Sequence, residues 1–350
     1  MMLISTVLHA FIFLQVGAIY PDFGTLLHPK ALKSLASSEV PVSVREELQA
    51  AVADIREDEP DPLVEIHYEG LLDNNPSRIE TVRHLEDMDK LALFYWHHAF
   101  FKDAHSLKKM MDFSQGWAAM FQPTGNPINE NKLLPVVYAY SYLKPYMESR
   151  QQFIMEDWLR KIATAEIGND RVPLNNWETK RINLVGTIGL LLEDDKLVSW
   201  AEEKAAYYVE HALFSDGSSA DIRQRDALSY HVSGLKPLLQ FLITLEQEAG
   251  RGKDFFYKET ADGASVARSL DYVLPYARGE KVYRQWENSK VKLDQERAAA
   301  GLEKYQPGVA YEPEKAYETM TLAGYFDDKY RMEQCSLPLC QIAAVLDQDL

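Results

Sequence analysis

Three short stretches of this sequence hold residue types that could do chemistry together. The first is Ile222-Arg223-Gln224-Arg225-Asp226-Ala227-Leu228-Ser229-Tyr230-His231. The pattern predicts one helix over 221–248. Seven residues at about 100° each would set Arg223 and Tyr230 on nearly the same face, two turns apart. Arginine offers a planar fork for a carboxylate. Tyrosine offers a proton-transfer group whose affinity for its proton a nearby cation lowers. The plain alternative is a tyrosine in the core and an arginine in a surface ion pair. The second stretch is Leu174-Asn175-Asn176-Trp177-Glu178-Thr179-Lys180-Arg181. Asn175 and Glu178 fit a capping box, so an ordinary helix start accounts for them. The same geometry, an amide at a helix N-terminus, also suits a carboxylate ligand. The third, Thr124-Gly125-Asn126-Pro127-Ile128-Asn129-Glu130-Asn131, reads as a turn or as a polar loop at a cleft rim.

Other mechanisms are set aside by what the sequence lacks. It has no Gly-x-Ser-x-Gly elbow, P-loop, Gly-x-Gly-x-x-Gly fingerprint or His-Glu-x-x-His pair. His97 and His98 are adjacent, so on a helix they diverge by about 100° and cannot chelate together. Carboxylates are abundant, and a glycosidase-type pair stays open on counting alone.

The elements that must position these residues are helical. Val44, Leu48, Val52 and Ile55 form an apolar stripe behind a candidate capping box, Ser43 with Glu46. Leu197, Trp200, Ala201, Lys204 and Tyr208 mark a further amphipathic helix that stops before Asp216-Gly217. Helical stretches are also expected at about 79–101, 105–121, 131–147, 149–166, 177–192, 221–248 and 262–275. Strand-like alternation is scarce. Short polar loops between long helices imply antiparallel helix pairs, stacked in a solenoid or curled into an α/α toroid. A tetratricopeptide or HEAT array is disfavoured, since no repeat of their period is visible. No low-complexity linker divides the chain, so residues 19–350 read as one domain.

Composition narrows the partners. Lys and Arg number 37 against 53 Asp and Glu, a net charge of −16 in 350 residues. That balance argues against a nucleic-acid binder or an anionic membrane surface as partner. Residues 41–90 alone carry 14 acidic and 5 basic side chains, whereas 171–181 set Arg171, Lys180 and Arg181 against Glu178. A motif-lined cleft on this protein should therefore be electropositive although the whole is acidic. At the N-terminus, apolar residues 3–14 followed by Val16-Gly17-Ala18 fit a signal peptide cleaved after Ala18, with a buried N-terminal helix as the alternative. The apolar run is too short to span a membrane. Cys335 and Cys340, the only cysteines, then suit a disulfide.

Taken together, Asn175-Asn176 and the Arg-x-x-x-Ala-x-x-Tyr-His pattern at Arg223, Ala227, Tyr230 and His231 resemble the alginate lyase family of polysaccharide lyases. The Gly125–Asn131 loop and Leu274-Pro275-Tyr276-Ala277-Arg278-Gly279 also look like segments of that group, so the likeness runs over roughly 65–300. It implies an all-α, incomplete (α/α) toroid and metal-free, cofactor-free β-elimination on an anionic polysaccharide of uronic acids, by a secreted and monomeric enzyme. By similarity Asn176 and Arg223 would hold the uronate carboxylate, and Tyr230 would be base and perhaps acid, with His231 beside it. Asn175, Trp177, Asn129, Glu130 and Arg225 would line the substrate. Trp177 departs from the family pattern, which has His there; indole donates a hydrogen bond and accepts no proton. That departure keeps a silent uronan-binding protein in play. An α/α-toroid glycoside hydrolase remains a further alternative.

Overall fold

The apolar stripes become helices, and the helices pack around one of their number. The computed structural model describes residues 40–336 and 340–341; the expected signal segment, 1–18, lies outside them. Helix α1 (Val42–Ile55) buries Val44, Leu48, Val52 and Ile55, the stripe its spacing foretold. Its capping box is not formed: Pro41 is the N-cap, and Ser43 and Glu46 sit inside the helix. Helices α2 (Pro76–Phe101) and α3 (Ala104–Met120) are capped by Asn75 and Asp103, whose side chains accept from Ser77 N and Ser106 N. Lys102, left-handed at φ 56°, makes the corner between them. A single turn, α4 (Pro127–Glu130), leads into α5 (Leu134–Leu143), which is flanked by 3-10 turns where one long helix was expected.

Helices α6 (Ser149–Gly168), α7 (Asn176–Leu191) and α8 (Asp195–Ala212) fall close to their expected spans. The stretch 221–248 does not stay whole. It divides into α9 (Ala220–Arg225) and α10 (Leu228–Ala249), because Asp226 is left-handed at φ 51° and Ala227 is extended. Beyond them lie α11 (Gly252–Tyr257), α12 (Val266–Ala277), α13 (Lys292–Ala299) and α14 (Tyr317–Gly324). Two short strands, β1 (Arg284–Gln285) and β2 (Val309–Ala310), pair antiparallel in the register Arg284↔Ala310. Cys335 and Cys340 are joined as expected.

Helix α7 is the hub. It packs on α4, α5 and α6 on one side and on α8 and α10 on the other. Leu184, Val185 and Ile188 enter the core of the first half, while Ile182 enters that of the second. Two glycines permit the approach. A Cβ at Gly186 would lie 2.3 Å from the Phe241 ring of α10, and one at Gly189 would lie 2.8 Å from Leu197 Cβ of α8. Real side chains do not tolerate such separations, so these helices touch through backbone at this level.

Polar groups buried beside α7 clamp its first turns. Glu178 and Arg181 pair at 2.5 Å, and Arg181 also donates to Asn169 O at 2.6 Å. Asn169 in turn donates to Gly125 O at 2.7 Å. Gly125 is left-handed (φ 77°), and a Cβ there would lie against Ala165 O. Glu130 accepts from Gly125 N at 2.7 Å, from Thr124 Oγ1 at 3.0 Å and from Thr124 N. Its carboxyl also meets that of Glu166. Burial first, and then the charge of Glu130, push the Glu166 carboxyl up to about 9, so it keeps its proton at neutral pH.

Two stability measurements follow. Gly186→Ala should cost about 1–3 kcal/mol by overpacking. Gly168→Ala, where a Cβ meets nothing within 4 Å, should be neutral or slightly stabilising in the same urea titration. Glu166 carries a carboxyl raised from its ordinary 4.5, so the stability it contributes is present at low pH and is lost as pH rises toward about 9. Glu166→Gln keeps a donor facing Glu130 but cannot ionise. Urea midpoints taken at pH 5, 7 and 9 should fall less steeply for this variant than for the wild type; parallel slopes would place the pH dependence elsewhere.

Candidate active site

The motif residues are brought together by three elements: the start of α7, the short helix α9 and the first turns of α10. Asn175 caps α7, its Oδ1 accepting from Trp177 N at 2.9 Å. Glu178 does not complete the expected capping box; it turns to Arg181. Asn176 is buried, with its N–H on Asp221 Oδ2 of α9 at 3.1 Å and its Nδ2 at 3.5 Å from Ser233 Oγ of α10. A Cβ at Gly234 would be 3.7 Å from Asn176, so the two helices meet closely at this point. Lys180, one turn along α7, donates to Ser233 O at 3.3 Å and to Ser233 Oγ at 3.1 Å. Ser233 follows Tyr230 by three residues, which puts the two side chains on neighbouring positions of one α10 face.

Tyr230 is enclosed by cations. Arg225 lies over its ring at 4.0 Å, and Arg297 of α13 donates to its hydroxyl at 3.1 Å. Trp286 meets the ring edge-on at 5.7 Å. Tyr305 shares a hydrogen bond with the Tyr230 hydroxyl, and burial raises its own phenol well above the usual range. Arg225 is anchored by Asp294 at 2.6 Å and lies 3.9 Å from Asp221. Burial lifts the Asp221 carboxyl to about 6, against the pull of Arg225, Asn176 N–H and Lys180.

Much of this enclosure comes from a strap, residues 284–311, fastened to Asp226. The Asp226 carboxylate accepts from Tyr283 Oη (2.9 Å), Asn288 N (2.9 Å) and Asn288 Nδ2 (3.1 Å), and its carbonyl accepts from Trp286 N (2.8 Å). Lys290 N reaches Gln224 O at 2.8 Å. At its far side Lys304 pairs with Asp73 at 3.2 Å. Asp73 also binds Arg78, which stacks at 4.1 Å on Tyr68. Lys132 stands 4.3 Å from the same ring. The strap thereby joins the two halves across the motif residues.

Several expectations need correcting. Arg223 and Tyr230 do not share a helix face, since the chain breaks between them at Asp226. Arg223 is exposed; it stacks on Phe214 at 3.3 Å and pairs with Asp216 at 3.4 Å. Arg225 takes the place beside Tyr230. His231 is 1% exposed, with Nε2 donating to Ser269 O at 3.3 Å, and burial lowers its pKa to about 4. It is a neutral core histidine and does not face a substrate. Asn129 and Glu130 are also interior: Asn129 accepts from Glu69 N at 2.9 Å and donates to Ile66 O at 2.8 Å, so both pin the 124–131 loop. His97 and His98 diverge as foreseen, bonding Ser106 and Tyr142. Trp177 is half-buried on the first turn of α7.

Lys180, Asp221, Ser233, Trp286, Arg297 and Tyr305 were not singled out from sequence. Lys180 could have been, because a residue four after Asn176 shares its helix face. Arg297 lies 67 residues from Tyr230 and carries no local signal.

Solved structures similar to this fold include alginate lyases. An alginate lyase from Bacteroides ovatus superposes with a TM-score of 0.62 and 13% identity, over 91% of this chain and 93% of that one. Alginate lyase A1-III from Sphingomonas species A1 does so at 0.50 and 16%, over 83% and 97%. A histidine-to-alanine variant of the latter, complexed with a tetrasaccharide, matches at 0.50 and 16%, over 83% and 95%. At these identities the likeness establishes the fold, an all-α (α/α) toroid as expected. No curated protein sequence matches the chain. The family described as alginate lyase matches residues 39–283, a span that holds every motif above and stops where the strap begins. The chain thus belongs to the alginate lyase family and is a polysaccharide lyase.

Proposed function

We propose that the protein cleaves a β-1,4-linked uronate polymer (alginate, polymannuronate or glucuronan) by β-elimination, with Tyr230 as base and acid. The observation that carries this reading is the Tyr230 hydroxyl, held by Arg297 and flanked by Arg225, one helix away from Asn176. The reaction requires three things of its site. The C5 carboxylate must be neutralised so that H5 becomes acidic, a base must take H5, and an acid must protonate O4 as the C4–O4 bond breaks and the C4–C5 double bond forms. Asn176 supplies an amide donor for the carboxylate. Tyr230 takes H5 as a phenolate and returns the proton to O4. Arg297 already donates to the phenol oxygen, so a donor is in place when that oxygen carries charge. Arg223 contributes from the approach. Its pair with Asp216 is exposed, and a substrate carboxylate can replace Asp216 there at little cost.

Trp177 motivates a second reading, a uronan-binding protein without turnover. Affinity for uronan that survives Tyr230→Phe, with no product from either form, would support it over the lyase. The apolar start of the chain and the Cys335–Cys340 bridge support secretion, and a mature N-terminus at Ile19 would establish it.

Turnover is read directly from the ultraviolet absorbance of the unsaturated uronate product. Wild-type protein should generate it from at least one of the three polymers. Tyr230→Phe should lose about a hundredfold or more in kcat while melting normally. Arg223→Ala should raise KM with little change in kcat, because the carboxylate it meets is present in ground and transition states alike. Full activity in Tyr230→Phe would sink the proposed role, and a folded wild type silent on all three polymers would sink the lyase reading.

A further inference from the structure

Most cations around the motif are already committed. Arg225 is bound by Asp294 and approached by Asp221, Arg223 by Asp216, and Lys236 by Glu318 at 2.5 Å. Arg297 lies 3.9 Å from Asp294 and is spent on the Tyr230 hydroxyl. Lys180 differs. Among the described residues it makes no ion pair, and its Nζ is held only by the carbonyl and hydroxyl of Ser233. Three charged groups face it: Lys132 from the 3-10 turn before α5, Lys236 from α10 and Asp221 from α9. Glu318 of α14 balances Lys236, while Asp221 is shared with Asn176 N–H and Arg225. What remains is a half-buried lysine with excess positive neighbours and no ion pair among the described residues.

Its position matters as much as its charge. Lys180 follows Asn176 by one turn on α7, and both side chains converge on Ser233 Oγ, at 3.1 and 3.5 Å. Ser233 in turn sits one turn from Tyr230. A carboxylate bound at the Asn176 amide would therefore meet the Lys180 ammonium before any other cation of the site. Trp177 brings no charge to this helix start.

Resting on the lyase reading above, we propose that Lys180 is a catalytic residue: its ammonium binds the uronate carboxylate beside Asn176 and neutralises it for removal of H5. Nothing covalent forms. The ammonium gives up hydrogen bonds to Ser233 and donates them to the carboxylate, which stabilises the charge that spreads onto it as the C5–H bond breaks. The free enzyme holds this amine poorly protonated, since burial, then Lys132 and Lys236, bring it from 10.5 to about 7 with only Asp221 opposing. A lysine lowered in this way loses its charge as pH rises, and the carboxylate restores it on binding.

The test compares Lys180→Met and Lys180→Arg with wild type on the polymer that wild type cleaves. Calorimetric binding of an oligouronate to the Tyr230→Phe form, with and without Lys180→Met, accompanies it. Lys180→Met should raise KM about tenfold or more and weaken binding by a similar factor. Lys180→Arg should keep most of the affinity. Wild-type kcat/KM should fall as pH rises past about 7, and Lys180→Arg should abolish that fall because guanidinium stays charged. Unchanged KM and binding in a folded Lys180→Met would overturn the assignment and leave the lyase reading standing. A high-pH fall that persists in Lys180→Arg would overturn it as well. Should the methionine variant not fold, Lys180→Gln is read by the same criteria. Wild type that neither binds nor cleaves any uronan removes the lyase reading itself, and Lys180's role with it.

Discussion

Everything in this molecule depends on how closely α7 is approached. Gly186 lets the Phe241 ring of α10 reach the helix backbone, and Gly189 does the same for Leu197 and Val198 of α8. Because Gly186 fixes the α7–α10 distance deep in the core, it also fixes it at the helix's other end, where Asn176 and Lys180 meet Ser233 and Gly234. Hydrogen bonds of 3.1 and 3.5 Å between side chains of different helices cannot survive an added methyl's displacement of the pair. Packing and chemistry are thus one constraint, with the core as the ruler for the cleft.

The second constraint is the left-handed residue Asp226. Its conformation ends α9 and swings α10 onto a new axis, which separates Arg223 from Tyr230 and delivers Arg225 to the tyrosine ring instead. The same residue's carboxylate then receives Tyr283 and Asn288, and the strap that follows brings Trp286, Asp294, Arg297 and Tyr305 around Tyr230. A non-glycine residue at φ 51° is costly unless its surroundings hold it, and here four donors do. The family match ends at residue 283. The strap that dresses the tyrosine lies beyond that match.

Helix identity was legible in the sequence because apolar spacing reports directly on which face is buried, as at Val44, Leu48, Val52 and Ile55. Asn176 and Tyr230 drew notice because they stand in short runs of residue types that can do chemistry. What was not legible depended on contacts distant along the chain. Asp226 is an ordinary residue for a helix end by propensity, and its break is imposed by donors about sixty residues later. Glu130 and Asn129 look like a polar rim, yet buried backbone donors at Thr124, Gly125 and Glu69 draw them inward. Tertiary demand for satisfied backbone groups outweighed the polarity of the side chains.

Net charge gives the last step. An acidic chain binding an acidic polymer would be repelled in a uniform field, and the acid-rich 41–90 segment adds to that repulsion. Arg225 and Arg297 do not relieve it, because each stands beside its own carboxylate: Arg225 by Asp294 and Asp221, Arg297 by Asp294. Their work is orientation, holding Tyr230 and the strap in place. A cation that is to act on an incoming carboxylate must instead arrive without a resident anion, and its cost must be met by the fold. Burial beside Lys132 and Lys236 imposes that cost on Lys180, and the close packing of α7 against α10 sustains it. The cation offered beside Asn176 is Lys180, with Lys132 and Lys236 near it, not the arginines around Tyr230, and its placement follows from the geometry of two helices.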